Sequence, residues 1–280
     1  MNELHNETKV EQLNFWGKIM GEESDYYIAQ GFNYTGHYEF PEKLFYFASQ
    51  NLKFEPLPET YDYHDKDFLN SYYKPLKGNP SLIIKKYKEE VPEGEEGEEN
   101  NANDNQPEGE DGEDAKPLDP DASVDENAPK KEEPKENFTE KLKLSYLVRQ
   151  IDYDTSVVPE GAFRLIPEHE LRENKSFKGL KPEELKLKSK FLHLRPITSE
   201  KKKAFIETDE AIFSFDILDS IEDDTVKCSW SIQLDPTKTI CNVRSLLWPG
   251  YFAVHQANTK LYCGCYFGNG MKNAELAFMV

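Results

Sequence analysis

A single strongly acidic segment constrains this chain more than any other feature, because it divides the sequence into two parts. Residues 89–136 contain 20 Asp and Glu against four Lys, which is a net charge of −16 out of −19 for the 280-residue chain. The segment has no aromatic residue. Such a composition buries too little apolar surface to offset the entropy of ordering the backbone. We therefore predict a disordered acidic insert that interrupts one domain, made of residues 1–88 and 137–280.

The rest of the chain is nearly neutral, and its composition excludes several classes of protein. No basic stretch favours nucleic acid, and no run approaches the roughly 20 apolar residues of a membrane span. The first residues lack the apolar core of a secretion signal. Four cysteines in a long chain without such a signal are typical of reduced thiols. We expect an intracellular protein of the cytoplasm.

The N-terminal part has the pattern of antiparallel β-structure. Two apolar runs, Phe15–Met20 and Tyr26–Phe32, flank a polar stretch at 21–25, which predicts a hairpin with a long loop. Leu44–Ala48 is a candidate third strand. Leu82–Ile84 is a further short strand just before the acidic segment.

Three stretches after the acidic segment have helical periodicity. The first has Thr139 as its N-cap and an apolar stripe at i, i+3, i+4 and i+7. The second begins at Pro182, a residue suited to the first helical turn, and the third follows Thr208. The apolar residues of the three stripes are Leu144, Leu147, Val148 and Ile151, then Leu185, Phe191 and Leu192, then Ile212, Phe215 and Leu218.

The apolar period falls to two from Cys228 onward. Cys228, Trp230, Ile232 and Leu234 alternate with polar residues, which predicts a half-buried strand. Short turns separate it from three further strands, placed at Cys241–Val243, Tyr251–Ala257 and Leu261–Phe267. The predicted fold class is α+β. It consists of antiparallel β-sheets (an N-terminal hairpin and a C-terminal four-strand meander), a few helices between them, and the disordered acidic insert.

Two glycine-containing motifs near the C-terminus are weak chemical signals. Cys263-Gly264-Cys265 has a shorter cysteine spacing than structural zinc sites use. Its cysteines share a predicted strand face with Leu261 and Phe267, which favours buried cysteines that act as small apolar residues. Gly268-Asn269-Gly270 lacks the spacing and the Lys-Ser/Thr of a P-loop, so a plain turn is favoured.

Neither histidines nor aromatic residues form a catalytic pattern. His64 and His169 have acidic neighbours and could be drawn as acid–base pairs, but solvated loops are the favoured interpretation. We predict no catalytic, cofactor-binding or metal-binding residue. Trp and Tyr dominate binding hot spots, and most of the clustered aromatic residues are expected in the core. The candidate partner-interface residues are Trp16, Tyr26, Tyr27, Trp248 and Pro249.

Five short strings follow one another in an order that matches a known family. They are NFWGKIMG at 14–21, DYYIAQG at 25–31, SWSIQ at 229–233, RSLLWPG at 244–250 and GNGMKN at 268–273. In this order the strings resemble the radial spoke head protein 9 family. The first string is also similar to the larger 4/6-type subunits of the spoke head. The long acidic insert departs from the family pattern.

The resemblance implies a structural, non-enzymatic protein without a cofactor, located in the cytoskeleton of motile cilia. In that family's setting, T-shaped radial spokes project from the doublet microtubules of the axoneme, and their heads meet the central apparatus. The contact conveys a mechanical signal to the dyneins. The implied partners are 4/6-type subunits and other spoke head proteins, with a transient contact to the central apparatus.

Two other functions stay open at this point. A small phosphate- or nucleotide-binding enzyme would use Gly268–Gly270, and it would need backbone amides that converge on an empty pocket beside Lys272. A soluble acidic adaptor would instead use residues 89–136 as its binding part.

Overall fold

The computed structural model describes residues 1–34, 40–59, 74–85 and 137–278. Grouped by their contacts, Met1–Ile84 and Phe138–Val280 belong to one compact unit. The acidic segment at 89–136 lies outside the described residues, and so does His64. The prediction of one domain interrupted by a disordered insert therefore stays a prediction.

Strands and a few helices alternate along the described residues, which confirms the α+β fold class. The helices are α1 (Asn2–Thr8), α2 (Glu140–Thr155) and α3 (Glu200–Ile206). The strands are β1 (Gln12–Ile19), β2 (Tyr26–Asn33), β3 (Glu42–Ala48), β4 (Glu55–Pro56), β5 (Ile83–Lys85), β6 (Phe138–Thr139), β7 (Val157–Pro159), β8 (Phe163–Leu165), β9 (Leu171–Glu173), β10 (Phe191–His193), β11 (Trp230–Leu234), β12 (Ile240–Ser245), β13 (Tyr251–Gln256) and β14 (Tyr262–Gly268). Among these residues, no helix has the length and apolar character required to cross a membrane.

An eight-stranded sheet forms the centre of the fold, with the strand order β11-β12-β13-β14-β1-β2-β3-β4. The predicted hairpin, its third strand and the C-terminal meander are all present and antiparallel. The joint between them was not foreseen in the sequence. Strand β14 runs parallel to β1, with Gly17 opposite Tyr266 and Ile19 opposite Gly268. A single sheet therefore unites strands from both ends of the chain.

A bulge in β1 makes this joint possible. The register against β2 shifts between Phe15 and Gly17, so Trp16 is the extra residue. A Cβ atom on Gly17, whose φ is +152°, would lie 2.2 Å from the carbonyl oxygen of Tyr266. Only glycine permits so close an approach of two backbones.

Helix α2 covers one face of the sheet, which we call the inner face. Its apolar stripe packs with the inward side chains of the hairpin and of the meander in one hydrophobic cluster. Thr139 occupies the N-cap position, although its side chain makes no capping hydrogen bond. The helix predicted for this stretch is thus confirmed, and it packs against strands from both parts of the sequence.

The second predicted helix is wrong. From Pro182 the chain forms two 3₁₀ turns, Glu184–Lys186 and Lys188–Lys190. Strand β10 follows and pairs antiparallel with β7. All three residues of β10 are buried, a pattern that one side of a helix cannot produce. Tertiary pairing has overridden the apparent periodicity here.

The third predicted helix is also wrong. After Thr208 the chain forms only the 3₁₀ turn Asp209–Phe213, and Phe215 is exposed. The regular helix of this region is α3, which precedes Thr208. Similarly, Cys228 is not part of the predicted strand. It is exposed, has a positive φ of 62°, and precedes the start of β11.

The outer face of the sheet is covered at β2 and β3 by the N-terminal segment. Leu4 of α1 packs with Ala29 and Tyr46, which are paired across β2 and β3. Val10 lies over Gly31, where an added Cβ would come within 3.0 Å of it. The helix α1 had no counterpart in the predicted fold.

Candidate functional site

The structure separates the five predicted interface residues into two groups. Trp16, Tyr26 and Trp248 are buried in the main core, where they offer a partner little surface. Tyr27 is half-buried on the outer face of the sheet, and Pro249 is exposed. Partner contact therefore stays a prediction, and Tyr27 and Pro249 are the residues whose positions suit it best.

Asp152 on α2 is the centre of a buried polar network beneath the hairpin. It accepts hydrogen bonds from Trp16 Nε1 at 3.1 Å and from Gln30 Nε2 at 2.9 Å. Its other oxygen forms an ion pair with Lys43 Nζ at 2.6 Å. These partners come from three different strands and are distant in sequence from Asp152, so no spacing could have revealed them. The network ties α2 to the sheet.

Glu140, at the start of α2, holds a second network. It accepts a hydrogen bond from Tyr26 OH at 2.7 Å and from the backbone amides of Lys77, Gly78 and Asn79 at 2.7–3.1 Å. Burial and the bond to Glu140 raise the pKa of Tyr26 well above its ordinary value. The tyrosine is thus a permanent donor, and the helix is fixed to the segment before the acidic insert.

Asp224 forms a third network below the meander. Its carboxylate contacts His193 Nε2 at 3.0 Å, Trp230 Nε1 at 2.6 Å and Arg195 at 3.5 Å. Burial alone would raise the pKa of Asp224, but the hydrogen bonds of His193 and Trp230 and the charge of Arg195 hold that pKa below its ordinary value. His193 is fully buried, and its ring lies 5.9 Å from that of Trp230. The histidine–carboxylate pair therefore supports the core.

The cysteine motif was assigned to the wrong face. Cys263 is exposed and Cys265 is half-buried, whereas Tyr266 on β14 is fully buried. The alternation along the strand was predicted correctly, but Tyr266 is the residue that packs into the core. His169 lies in the turn between β8 and β9 with a positive φ of 59°. Within the described residues, no three His, Cys, Asp or Glu side chains are grouped as a metal site would require.

The turn at Gly268–Gly270 uses backbone amides within the fold. The Gly270 amide donates to Tyr266 OH at 3.0 Å, and the Met271 amide donates to Asn269 Oδ1 at 3.1 Å. A phosphate-binding loop instead directs its amides at the ligand. The geometry of this turn therefore does not favour the phosphate-binding alternative.

A cavity of about 380 Å³ does lie beside Lys272. The Lys272 ammonium contacts Asp154 Oδ2 at 3.2 Å and lies 5.5 Å from the Trp248 ring, so its charge already has a partner. Trp248 Nε1 donates to the same carboxylate oxygen at 2.8 Å. Burial lowers the pKa of Lys143, which also lines the cavity, to about 8. These contacts hold the C-terminal segment against α2.

The outer face of the meander carries an apolar surface that the sequence analysis missed. Phe252 and Phe267 stack with ring centroids 6.1 Å apart, and Phe15 lies 6.2 Å from Phe267. Phe15 and Phe267 are 41% and 42% exposed. The outward direction of Phe267 follows from the inward position of its neighbour Tyr266 and the period of two. A patch of this kind is typical of interaction surfaces.

Similar proteins are found over almost the whole chain. The chain is 31% identical to "Radial spoke head protein 9 homolog" of Danio rerio over 272 residues, which cover 97% of this chain and 86% of that protein. The proteins of the same description from Bos taurus and Homo sapiens are 30% and 29% identical over 274 residues, again with 97% and 86% covered. No family model matches the chain.

Proposed function

The chain belongs to the radial spoke head protein 9 family, and from this membership we propose that it is a structural, non-enzymatic subunit needed to assemble the radial spoke head. The observation that carries the proposal is the similarity to relatives named for the spoke head across 97% of the chain. The implied location is the ciliary axoneme, in the cytoskeleton.

The use of the buried polar groups supports a scaffold role. Asp152, Glu140 and Asp224 each accept hydrogen bonds from several donors of different elements. Their function in the fold is to lock α2 and the meander in place, and groups so saturated are held rigid. A rigid body suits a protein that transmits a mechanical signal from the central apparatus to the dyneins, which is the role that we propose.

The proposed partners are the 4/6-type subunits and other spoke head proteins, with transient contact to the central apparatus. The string at 14–21, which is also similar to 4/6-type subunits, contains the bulge at Trp16 and Gly17. A related bulge in the 4/6-type subunits would give them a similar joint between strands. We propose that the two kinds of subunit pair within the head.

The acidic segment at 89–136 is proposed to act by charge and not by packing. The chain enters it from β5 and leaves it into β6, and these two strands form a two-stranded sheet. A coil of 48 residues has a span of roughly 40 Å, whereas a fixed surface charge is felt over only about 8 Å at physiological ionic strength. The segment would therefore carry negative charge toward a neighbouring surface.

The experiment is to remove the native protein from the ciliated cells that make it and to record the axonemes by cryo-tomography. We expect spokes without complete heads and an altered waveform, both restored by the wild-type chain. A tagged chain should cofractionate with other spoke components in detergent-stripped cilia. Complete heads in cells without the protein would contradict the assembly role.

A matched variant lacks residues 89–136. It should restore the heads, because the segment contributes no aromatic residue to a core. If the protein is instead an acidic adaptor, the opposite result is expected. The isolated segment would then retain the partners in a pull-down, and its deletion would abolish their binding.

A further inference from the structure

We infer that the outer face of the meander binds a protein partner in the spoke head through a segment that combines a carboxylate with large apolar side chains. The inference rests on the proposed function for the place where the partner is found. It goes further because it names the surface and the chemistry of the contact.

The contact surface is a groove of about 910 Å³ at the edge of the exposed phenylalanines. Its apolar lining includes Phe252 and Phe267 from neighbouring strands, together with Leu246 and Pro249 from the turn after β12. Leu246 is 41% exposed. Pro249 is thus one of the two predicted interface residues that remain accessible, and it lies in this groove.

Among the described residues of the lining, Arg244 supplies the only charge, and none of them is Asp or Glu. It is exposed on β12 and lies directly across from Phe252 on β13. Within the described part of the chain, no carboxylate forms an ion pair with it. Arginine beside aromatic residues is the composition that binding hot spots favour, and its planar guanidinium pairs with a carboxylate through two parallel hydrogen bonds.

Asn242 contributes an amide group to the groove beside Arg244. Its Oδ1 atom is buried and has no hydrogen-bond partner among the residues that the structure describes. The residue lies on the same side of β12 as Arg244 and also lines the groove. A buried acceptor without a donor loses the hydrogen bond that water gives it in the unfolded chain.

At β2 and β3 the same outer face of the sheet is covered by another part of the chain, which indicates what kind of segment fits it. At β2 and β3 a short apolar segment of the chain itself, with Leu4 and Val10, covers the face. Over the meander no described segment takes that place. A partner segment with apolar residues would cover the phenylalanines, and its carboxylate would pair with Arg244. Charge complementarity therefore favours a partner segment that has large apolar side chains and an acidic residue.

The test uses the full-length chain in cells that lack the native protein. Arg244→Glu reverses the charge of the groove, and Arg164→Glu is the matched control because Arg164 is exposed on β8, in another sheet. We expect the amount of Arg244→Glu retained on detergent-stripped axonemes to fall by about tenfold or more, while the control stays at the wild-type level. Urea melts of both purified variants should match wild type, which excludes misfolding.

Photocross-linking identifies the partner segment directly. Phe267 is replaced by p-benzoylphenylalanine, whole cells are irradiated, and the cross-linked peptides are sequenced by mass spectrometry. We expect peptides in which Asp or Glu adjoins large apolar residues. Cross-links to a second copy of this chain or to basic segments would overturn the inference, as would Arg244→Glu retained at the wild-type level. If the wild-type chain itself is missing from axonemes, the proposed function is wrong. The peptides cross-linked in whole cells would still show whether the groove binds a segment of the inferred kind.

Discussion

The two halves of the outer sheet face differ in what covers them, although they belong to one sheet. At β2 and β3, Leu4 and the paired residues Ala29 and Tyr46 form a closed apolar cluster with the N-terminal segment. Over the meander and the adjoining strand β1, Phe267 and Phe15 remain about two-fifths exposed. The inner face shows no such difference, because one cluster containing α2 underlies both halves.

The inner face of this sheet therefore carries most of the stability, and the uncovered part of the outer face is available for recognition. Residues buried on the inner face should dominate the free energy of unfolding, since burial of apolar area drives folding. Side chains on the open outer half add little to that free energy and remain available to another protein. Substitutions on the covered half should fall between these two limits.

The largest effect is expected for Trp230→Ala on the inner face below the open half. Trp230 is 4% exposed and bonds to Asp224, so we expect a loss of about 3–5 kcal/mol in urea melts. Trp230→Phe keeps most of the ring volume and loses the N–H, so its loss should be smaller. A loss below about 1 kcal/mol for Trp230→Ala would show that the inner face does not carry the stability.

A smaller loss, about 2 kcal/mol, is expected for Leu4→Ala on the covered half. Leu4 is 5% exposed, but α1 is a short terminal helix that can undock without unfolding the sheet. Leu52→Ala is the control, because Leu52 is 66% exposed and should be neutral. Equal melting curves for the two variants would mean that the packing of the N-terminal segment on the sheet contributes nothing to the free energy of unfolding.

Acid should weaken the support that Asp224 gives to the open half. The pKa of Asp224 is held below its ordinary value in the folded state, so its contribution is present above the ordinary carboxyl pKa of about 4. The contribution is lost as the pH falls through the folded-state pKa. Urea midpoints measured between pH 7 and pH 3 should fall less for Asp224→Asn than for wild type. If the urea midpoints of the two proteins fall in parallel with pH, Asp224 does not support the fold in this way.

The smallest effect is expected on the open half itself. Phe267→Thr removes an exposed aromatic ring from a strand and keeps a β-branched residue, so the change in unfolding free energy should stay below about 1 kcal/mol. The same variant should bind less to axonemes if the open half is a docking surface. A loss as large as that of Trp230→Ala would abolish the distinction between the two faces.

The sequence predicted those elements whose pattern is local. The hairpin, the meander and the stripe of α2 each follow from spacing within one segment, and each is confirmed. The stretch from Pro182 misled because three consecutive buried residues of β10 mimic part of a helical stripe. The direction of the β14 side chains was missed for a related reason. A period of two fixes which residues share a face, whereas the packing of Tyr266 decides which face is buried.

The candidate site depended on contacts that no local pattern contains. Asp152 meets Trp16 and Lys43 across more than a hundred residues. The tryptophans were recognised as unusual, but their carboxylate partners could not be, because many acidic residues are available in the sequence. Arg244 gave no signal of a binding role, because its interest comes from having no ion-pair partner among the carboxylates of the described residues.

The parallel pairing of β1 with β14 also has a consequence for how the protein is made. Gly17 and Tyr266 are separated by about 250 residues, which a ribosome adds in on the order of ten to fifty seconds. Throughout that time the hairpin has an unpaired edge where the middle of the sheet will be, and such edges invite pairing with other chains. A premature stop codon anywhere before Tyr262 removes a central strand and not a peripheral one. Newly synthesised chains should therefore depend on chaperones until the last strand has left the ribosome.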